Sequence, residues 1–127
     1  MHDYGRGGAG VTLSWGCAIE AIELLSEVAP EGASVAVLGG GISGLSYALM
    51  AGRFGYSVRV YARDLPPNTT SDIAGGQWSP SLIGGPHDEN VQRMLRRSYS
   101  GFDELVGPEW GVYRVPNYTT RGAKSSE

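Results

Sequence analysis

Residues 39–44, Gly-Gly-Gly-Ile-Ser-Gly, lie between two patterns that leave them one setting. Before them, residues 34–39 form a short apolar run ending in glycine, which suits a buried parallel strand. After them, Ile42, Leu45, Ala48 and Leu49 recur at helical spacing, and Gly55 stands where a left-handed residue can close the helix. Residues 56–62, Tyr-Ser-Val-Arg-Val-Tyr-Ala, carry the β-branched residues of a second strand. The stretch 34–62 therefore predicts strand, glycine loop, helix, strand. Two strands joined by a helix run parallel, so the fold class is α/β, built on a βαβ unit.

Glycines at 39, 41 and 44 have separate tasks in such a loop. Gly39 permits the tight turn, Gly41 lets backbone N–H groups approach a pyrophosphate, and Gly44 lets the helix lie close to the strand. The head of the helix adds unpaired N–H groups and a positive dipole end. The plain alternative is a glycine-rich turn with no ligand. At the end of the second strand, Ala62 falls where an acidic residue usually holds the ribose, followed by Arg63 and Asp64. Asp64 can take the ribose role from a shifted position, or Arg63 can hold the 2′-phosphate of NADP. The motif alone leaves both open.

A second glycine stretch, Gly5-Arg6-Gly7-Gly8-Ala9-Gly10, opens the chain, with no room before it for a strand. From Ser14 to Val28 the spacing is helical, with Trp15, Ala18, Ile19, Ile22, Leu25 and Val28 on one face; Pro30 and Gly32 end it. Pro66 and Pro67 make 63–72 a loop, and 73–78 and 111–115 are candidates for short strands. Asp88 is placed to cap a helix reaching about Leu105, with Val91, Leu95, Phe102 and Leu105 inward. The polar stretch 119–127 reads as a disordered tail.

The chain is 127 residues long with net charge −3, which points away from nucleic acid and anionic membranes. No apolar run approaches the ~18 residues of a membrane span. Residues 1–8 hold no apolar signal-peptide core, and the last residues are not a peroxisomal tripeptide, so a cytoplasmic location is expected. The single cysteine, Cys17, has no partner in the chain and reads as a buried structural residue.

Residues 69–80, Thr-Thr-Ser-Asp-Ile-Ala-Gly-Gly-Gln-Trp-Ser-Pro, make the reading more specific. With 35–49 and 55–68 they resemble the N-terminal third of the D-amino-acid oxidases, an FAD-dependent family that includes D-aspartate oxidase. The resemblance runs from about 34 to 117 and is clearest before 85. Residues 2–21 resemble a different part of that family: the His-Asn-Tyr-Gly-His-Gly-Gly-x-Gly-Leu-Thr loop, then Trp-Gly-Cys-Ala and a helix, which closes its FAD domain. The resemblance thus implies a Rossmann-like FAD-binding βαβ fold, incomplete or permuted. Its FAD-binding domain is 1–118, with the C-terminal-type motif (1–28) before the N-terminal-type segment (34–118) and the substrate domain missing.

The same resemblance assigns residues to FAD. Gly39, Gly40, Gly41, Ile42, Ser43 and Gly44 would line the diphosphate; Arg63 and Asp64 the adenosine side; Thr69, Thr70 and Ser71 the diphosphate and ribityl chain. Gly75, Gly76 and Gln77 would lie along the flavin ring, and Gly7, Gly8, Ala9, Gly10, Val11 and Thr12 around its pyrimidine side. The Gly8 carbonyl would face the substrate amino group, the one catalytic position implied. The family's reaction moves a hydride from the α-carbon of a D-amino acid to the flavin, and dioxygen then restores the flavin, giving an imino acid and hydrogen peroxide. No metal is implied.

Asp3 and Arg6 depart from the family's usual Asn and His. The arginine and tyrosine that hold the substrate carboxylate in the family have no counterpart here. The expectation is a piece of an FAD enzyme that alone has no useful oxidase activity and binds FAD weakly, if at all, that meets its D-amino acid only with the missing substrate domain, and whose candidate partner is another copy or a complementary chain. An NADP-binding module and a self-associating non-catalytic fragment are the alternatives. Trp15 and Trp78 read as core, His2 and His87 as isolated, 93–98 as a solvated helix face, and Tyr4 as either a cofactor shield or a plug.

Overall fold

The computed structural model describes residues 1–80, 83 and 88–118. His87 and the expected tail at 119–127 lie outside the described residues. In chain order the elements are α1 (Gly10–Val28), β1 (Ser34–Leu38), α2 (Ile42–Arg53), β2 (Ser57–Tyr61), α3 (Thr70–Ile73) and α4 (Glu89–Asp103).

The βαβ unit forms as the periodicity predicts. β1 and β2 pair in parallel, from Ser34 opposite Ser57 to Leu38 opposite Tyr61. Val35, Val37, Val58 and Val60 are buried or half-buried, while Ser34, Ala36, Leu38, Ser57, Arg59 and Tyr61 are exposed. The expectation of a fully buried strand is therefore corrected. Among the described residues only two strands pair and one face of the sheet is open, leaving Leu38 82% exposed.

α1 begins at Gly10 rather than at the expected Ser14. Burial supplies the reason: Ala9 and Leu13 pack with Leu95 of α4, so the first turn gains apolar contacts that offset its glycine. Trp15, Ala18 and Ile22 pack with Met50, Ala51 and Tyr56 in the main core. At 1.5 Å per residue α1 is roughly 28 Å long, and its end meets the sheet. Tyr56 Oη donates to the Ala29 carbonyl at 3.2 Å, and the Ser57 N–H donates to the Ala33 carbonyl at 3.0 Å.

The expected strands at 73–78 and 111–115 do not form. Instead Thr70–Ile73 is a single helical turn, and Val112 makes only isolated bridges with Val106 and Gly107. Pro66 and Pro67 keep helix out of the first part of 63–72, but α3 starts three residues beyond them. The Asp72 carboxylate there accepts from the N–H and the hydroxyl of Thr69, at 2.8 and 2.7 Å, and both hold that carboxyl below its ordinary range.

α4 starts after Asp88, whose Oδ1 accepts from the N–H groups of Asn90 and Val91 at 3.1 Å. It lies against α1 at Gly16, where a Cβ would fall on the Met94 carbonyl. Cys17 sits beside this crossing with its Sγ 3.6 Å from Met94 Sδ, and burial pushes its thiol pKa up, against the lowering by Arg6. The 93–98 face is not simply solvated. Arg93 forks onto Glu20 at 2.7 and 2.8 Å, and Arg97 reaches Glu20 and Glu23, both at 2.8 Å.

These bonds, with that from Arg93 the largest cause, hold the Glu20 carboxyl below its ordinary value. A depressed folded-state pKa gives stability that is present above the unfolded value, about pH 4, and lost as pH falls through the folded one. Glu20→Gln is expected to flatten the acid limb of a stability–pH profile and to change stability by less than about 1 kcal/mol at pH 7. Urea midpoints between pH 3 and 7 check it.

Candidate functional site

The glycine loop between β1 and α2 is defined by what cannot replace its glycines. Gly39 has φ +121°, and its N–H donates to the Tyr61 carbonyl at 2.8 Å. A Cβ on Gly40 would come within 2.5 Å of the Asp64 carbonyl oxygen, and one on Gly41 within 2.9 Å of Ser71 Oγ. On Gly44 it would fall on the Gly39 carbonyl. The loop is thus a close meeting of backbone from β1, α2 and the segment after β2.

Gly41 caps α2 without a side chain, so the head of the helix keeps backbone donors available. One is engaged: the Ile42 N–H donates to Ser71 Oγ at 2.9 Å. Ser71 thereby joins the 69–71 segment to the glycine loop, and its own O–H remains a donor. Thr69 is buried and turned to Asp72, while Thr70 is exposed.

The opening glycines arrive at the same place. Gly5, Gly7 and Gly8 have φ of +79°, +56° and +89°, and a Cβ on any of them would meet nothing within 4 Å. They belong to an exposed loop that runs into α1 through buried Ala9, again with no side-chain cap. A Cβ on Gly10 would lie 4.0 Å from Ile42 Cγ2, so the heads of α1 and α2 are neighbours. Arg6 crosses between them. Its Nη1 donates to Ser43 Oγ at 2.7 Å and its Nη2 to Tyr47 Oη at 2.8 Å, and it also pairs with Asp3.

Of the other expected residues, Val11 and Gly76 border one hollow and the backbone of Asp64 lies beside Gly40. Thr12 is buried, its Oγ1 donating to the Ser79 carbonyl at 3.0 Å and accepting from the Ser79 N–H at 3.1 Å, which fastens α1 to the segment holding Trp78. Gly75, Gly76 and Gln77 are exposed, with Gly76 at φ +66°. Val11, Gly76, Trp78, Tyr99, Phe102 and Tyr113 border a hollow of about 200 Å³. Trp78 is half-buried and meets Tyr99 edge-on at 5.1 Å between ring centres, whereas Trp15 is core. Arg63 is 94% exposed along its side chain and pairs with Asp64 at 2.7 Å. Tyr4 is 85% exposed and plugs nothing.

This arrangement suits the diphosphate of a dinucleotide. Two uncapped helix heads lie side by side, each with unpaired N–H groups and a positive dipole end. Glycines with open space above them let a ligand reach the backbone, and the Ser43 and Ser71 hydroxyls each accept one hydrogen bond and so keep a proton to give. Arg6 and Tyr47 were not assigned to the site from sequence. Tyr47 follows Ser43 by one helical turn, and that i, i+4 spacing was the signal available. Among the described residues, no group of three or more His, Cys, Asp or Glu is placed to hold a metal ion, and no helix is long and apolar enough to cross a membrane.

Compared with known proteins, residues 34–125 match the family described as FAD dependent oxidoreductase. The D-amino-acid oxidase of Streptomyces coelicolor is 44% identical, over 73% of this chain and 35% of that protein. That of Rubrobacter xylanophilus is also 44% identical, over 63% of this chain and 24% of its own length. The D-amino acid oxidase of Dugesia ryukyuensis is 31% identical, over 57% and 22%. The chain therefore spans 22–35% of the length of these three relatives. No solved structure matches it.

Proposed function

This chain belongs to the family of FAD-dependent oxidoreductases, and from that premise we propose that its two glycine loops together bind the FAD of a D-amino-acid oxidase. The observation that carries the reading is the meeting of the heads of α1 and α2, bridged by Arg6 to Ser43 and Tyr47. Two loops that lie 29 residues apart in the chain, from Gly10 to Gly39, converge on one place suited to an anion.

In this reading Gly39–Gly44, with Ser43 and Ser71, hold the diphosphate. Gly7–Thr12 and Gly75–Gln77 border the ring, and Arg63 and Asp64 lie on the adenosine side. Bound FAD supplies the hydride-accepting chemistry, while the protein contributes position and electrostatics. The Gly8 carbonyl orients the substrate amino group. The NADP reading gains nothing from Arg63, whose guanidinium is exposed and engaged by Asp64. The chain by itself is inactive, because no arginine in it is assigned to the substrate carboxylate, a group best gripped by a planar guanidinium.

Mixing the purified chain with excess FAD, desalting it and recording a visible spectrum tests the first part. The visible absorption of the flavin is expected to stay with the protein, and a colourless eluate overturns the reading. Hydrogen peroxide formed from D-alanine by that yellow protein would overturn the claim of inactivity alone.

A further inference from the structure

We propose that Arg6 is a positioning residue that makes the two glycine loops into one cofactor site, acting through Ser43. The proposal rests on the FAD reading above and adds a role at a position where the resemblance implies histidine.

Arg6 stands on the opening loop, yet two of its hydrogen bonds cross 37 and 41 residues of chain to reach α2. Its side chain is only 8% exposed. An arginine so buried must be paired, and Asp3 supplies the countercharge from the same loop. Its Nε is buried without a partner, so the fit is not one of full satisfaction. What the guanidinium geometry provides is a fork: Nη1 on Ser43 and Nη2 on Tyr47, one helical turn apart on one face of α2. A fork fixes the direction of the loop as well as its distance. Without it, the three positive-φ glycines at 5, 7 and 8 leave the loop with wide backbone freedom.

The bond to Ser43 has a second effect. Guanidinium nitrogens only donate, so Ser43 Oγ is the acceptor and its proton must be given elsewhere. Ser43 is the second residue of α2, at the uncapped head where an anion is favoured. Arg6 thus leaves the Ser43 hydroxyl as a donor available to a diphosphate oxygen. A hydrogen bond from a charged group polarises that hydroxyl and strengthens the bond it gives.

The experiment is a titration with FAD followed by quenching of flavin fluorescence, on the wild type, Arg6→Met, Ser43→Ala, the double variant and Arg6→Lys, with a urea midpoint for each. Arg6→Met is expected to weaken binding at least about tenfold, the loss of a charge-assisted hydrogen bond. Ser43→Ala should weaken it comparably, and the double variant no more than the worse single one, because the two residues act as a unit. Arg6→Lys keeps the charge but cannot span Ser43 and Tyr47, so it should recover only part of the affinity. Affinity unchanged in Arg6→Met, additive losses in the double variant, or full recovery by Arg6→Lys would each overturn the proposal while leaving the FAD reading intact. A wild type that takes up no FAD overturns both. The urea midpoints separate loss of fold from loss of site.

Discussion

Gly16→Ala is expected to destabilise the protein by about 2–4 kcal/mol, although alanine is the better helix former by about 1 kcal/mol. Gly16 lies within α1 with helical neighbours on both sides, so propensity alone predicts a gain. Packing reverses the sign. A Cβ there would fall on the carbonyl oxygen of Met94 and lie 2.6 Å from its carbon and 2.8 Å from its Cα. These are backbone atoms inside α4 and cannot rotate away, so the whole helix must back off. Retreat would open the cluster of Ala9, Leu13 and Leu95 and stretch the bonds from Arg93 and Arg97 to Glu20. Trp15 would lose its contact with Phe102, now edge-on at 6.4 Å. For a domain whose total stability is about 5–15 kcal/mol this is a large fraction. The urea midpoint measures it, and a midpoint equal to or above the wild type's would show that α1 and α4 do not approach so closely.

The local patterns were the legible ones. The strands at 34–38 and 57–61 and the helix between them follow from periodicity within a few residues, and so does the cap at Asp88. What escaped depended on distant chain. The first turn of α1 looks unfavourable in a glycine-rich stretch and exists because Leu95, more than eighty residues away, covers Ala9 and Leu13. Val28 continues the apolar stripe of α1 but is 80% exposed, while its neighbour Ala29 packs against the core. β1 reads as a strand buried on both sides, and periodicity cannot tell whether a second layer is present to cover it. In the loop between β1 and α2, spacing marked out Gly41 and Gly44, where a Cβ would collide with a neighbour. Arg6 was not marked out, because its partners are set by the meeting of two helix heads and no spacing along the chain encodes that.

Gly44→Ala should cost about 2–4 kcal/mol as well and abolish retention of FAD on desalting, for a reason distinct from that at Gly16. Position 44 is in the first turn of α2, and its Cβ would fall on the carbonyl oxygen of Gly39. Gly39 cannot give way cheaply. Its φ of +121° is open to glycine almost alone, and its N–H is tied to the Tyr61 carbonyl at the end of β2. The head of α2 must therefore rise from the sheet, carrying Ile42 away from Ser71 and Ser43 away from Arg6. The same displacement weakens the fold and separates the donors proposed to hold the diphosphate. Gly52→Ala supplies the contrast: it lies in the same helix, is exposed, and would meet nothing within 4 Å. It is expected to raise the urea midpoint by the equivalent of about 0.5–1 kcal/mol and to leave FAD retention unchanged. If both variants bind FAD as the wild type does, the head of α2 is not where the cofactor's anion sits. If only Gly44→Ala loses it while remaining folded by urea titration, closeness of α2 to β1 is what the site requires, and Gly44 is the residue that permits it.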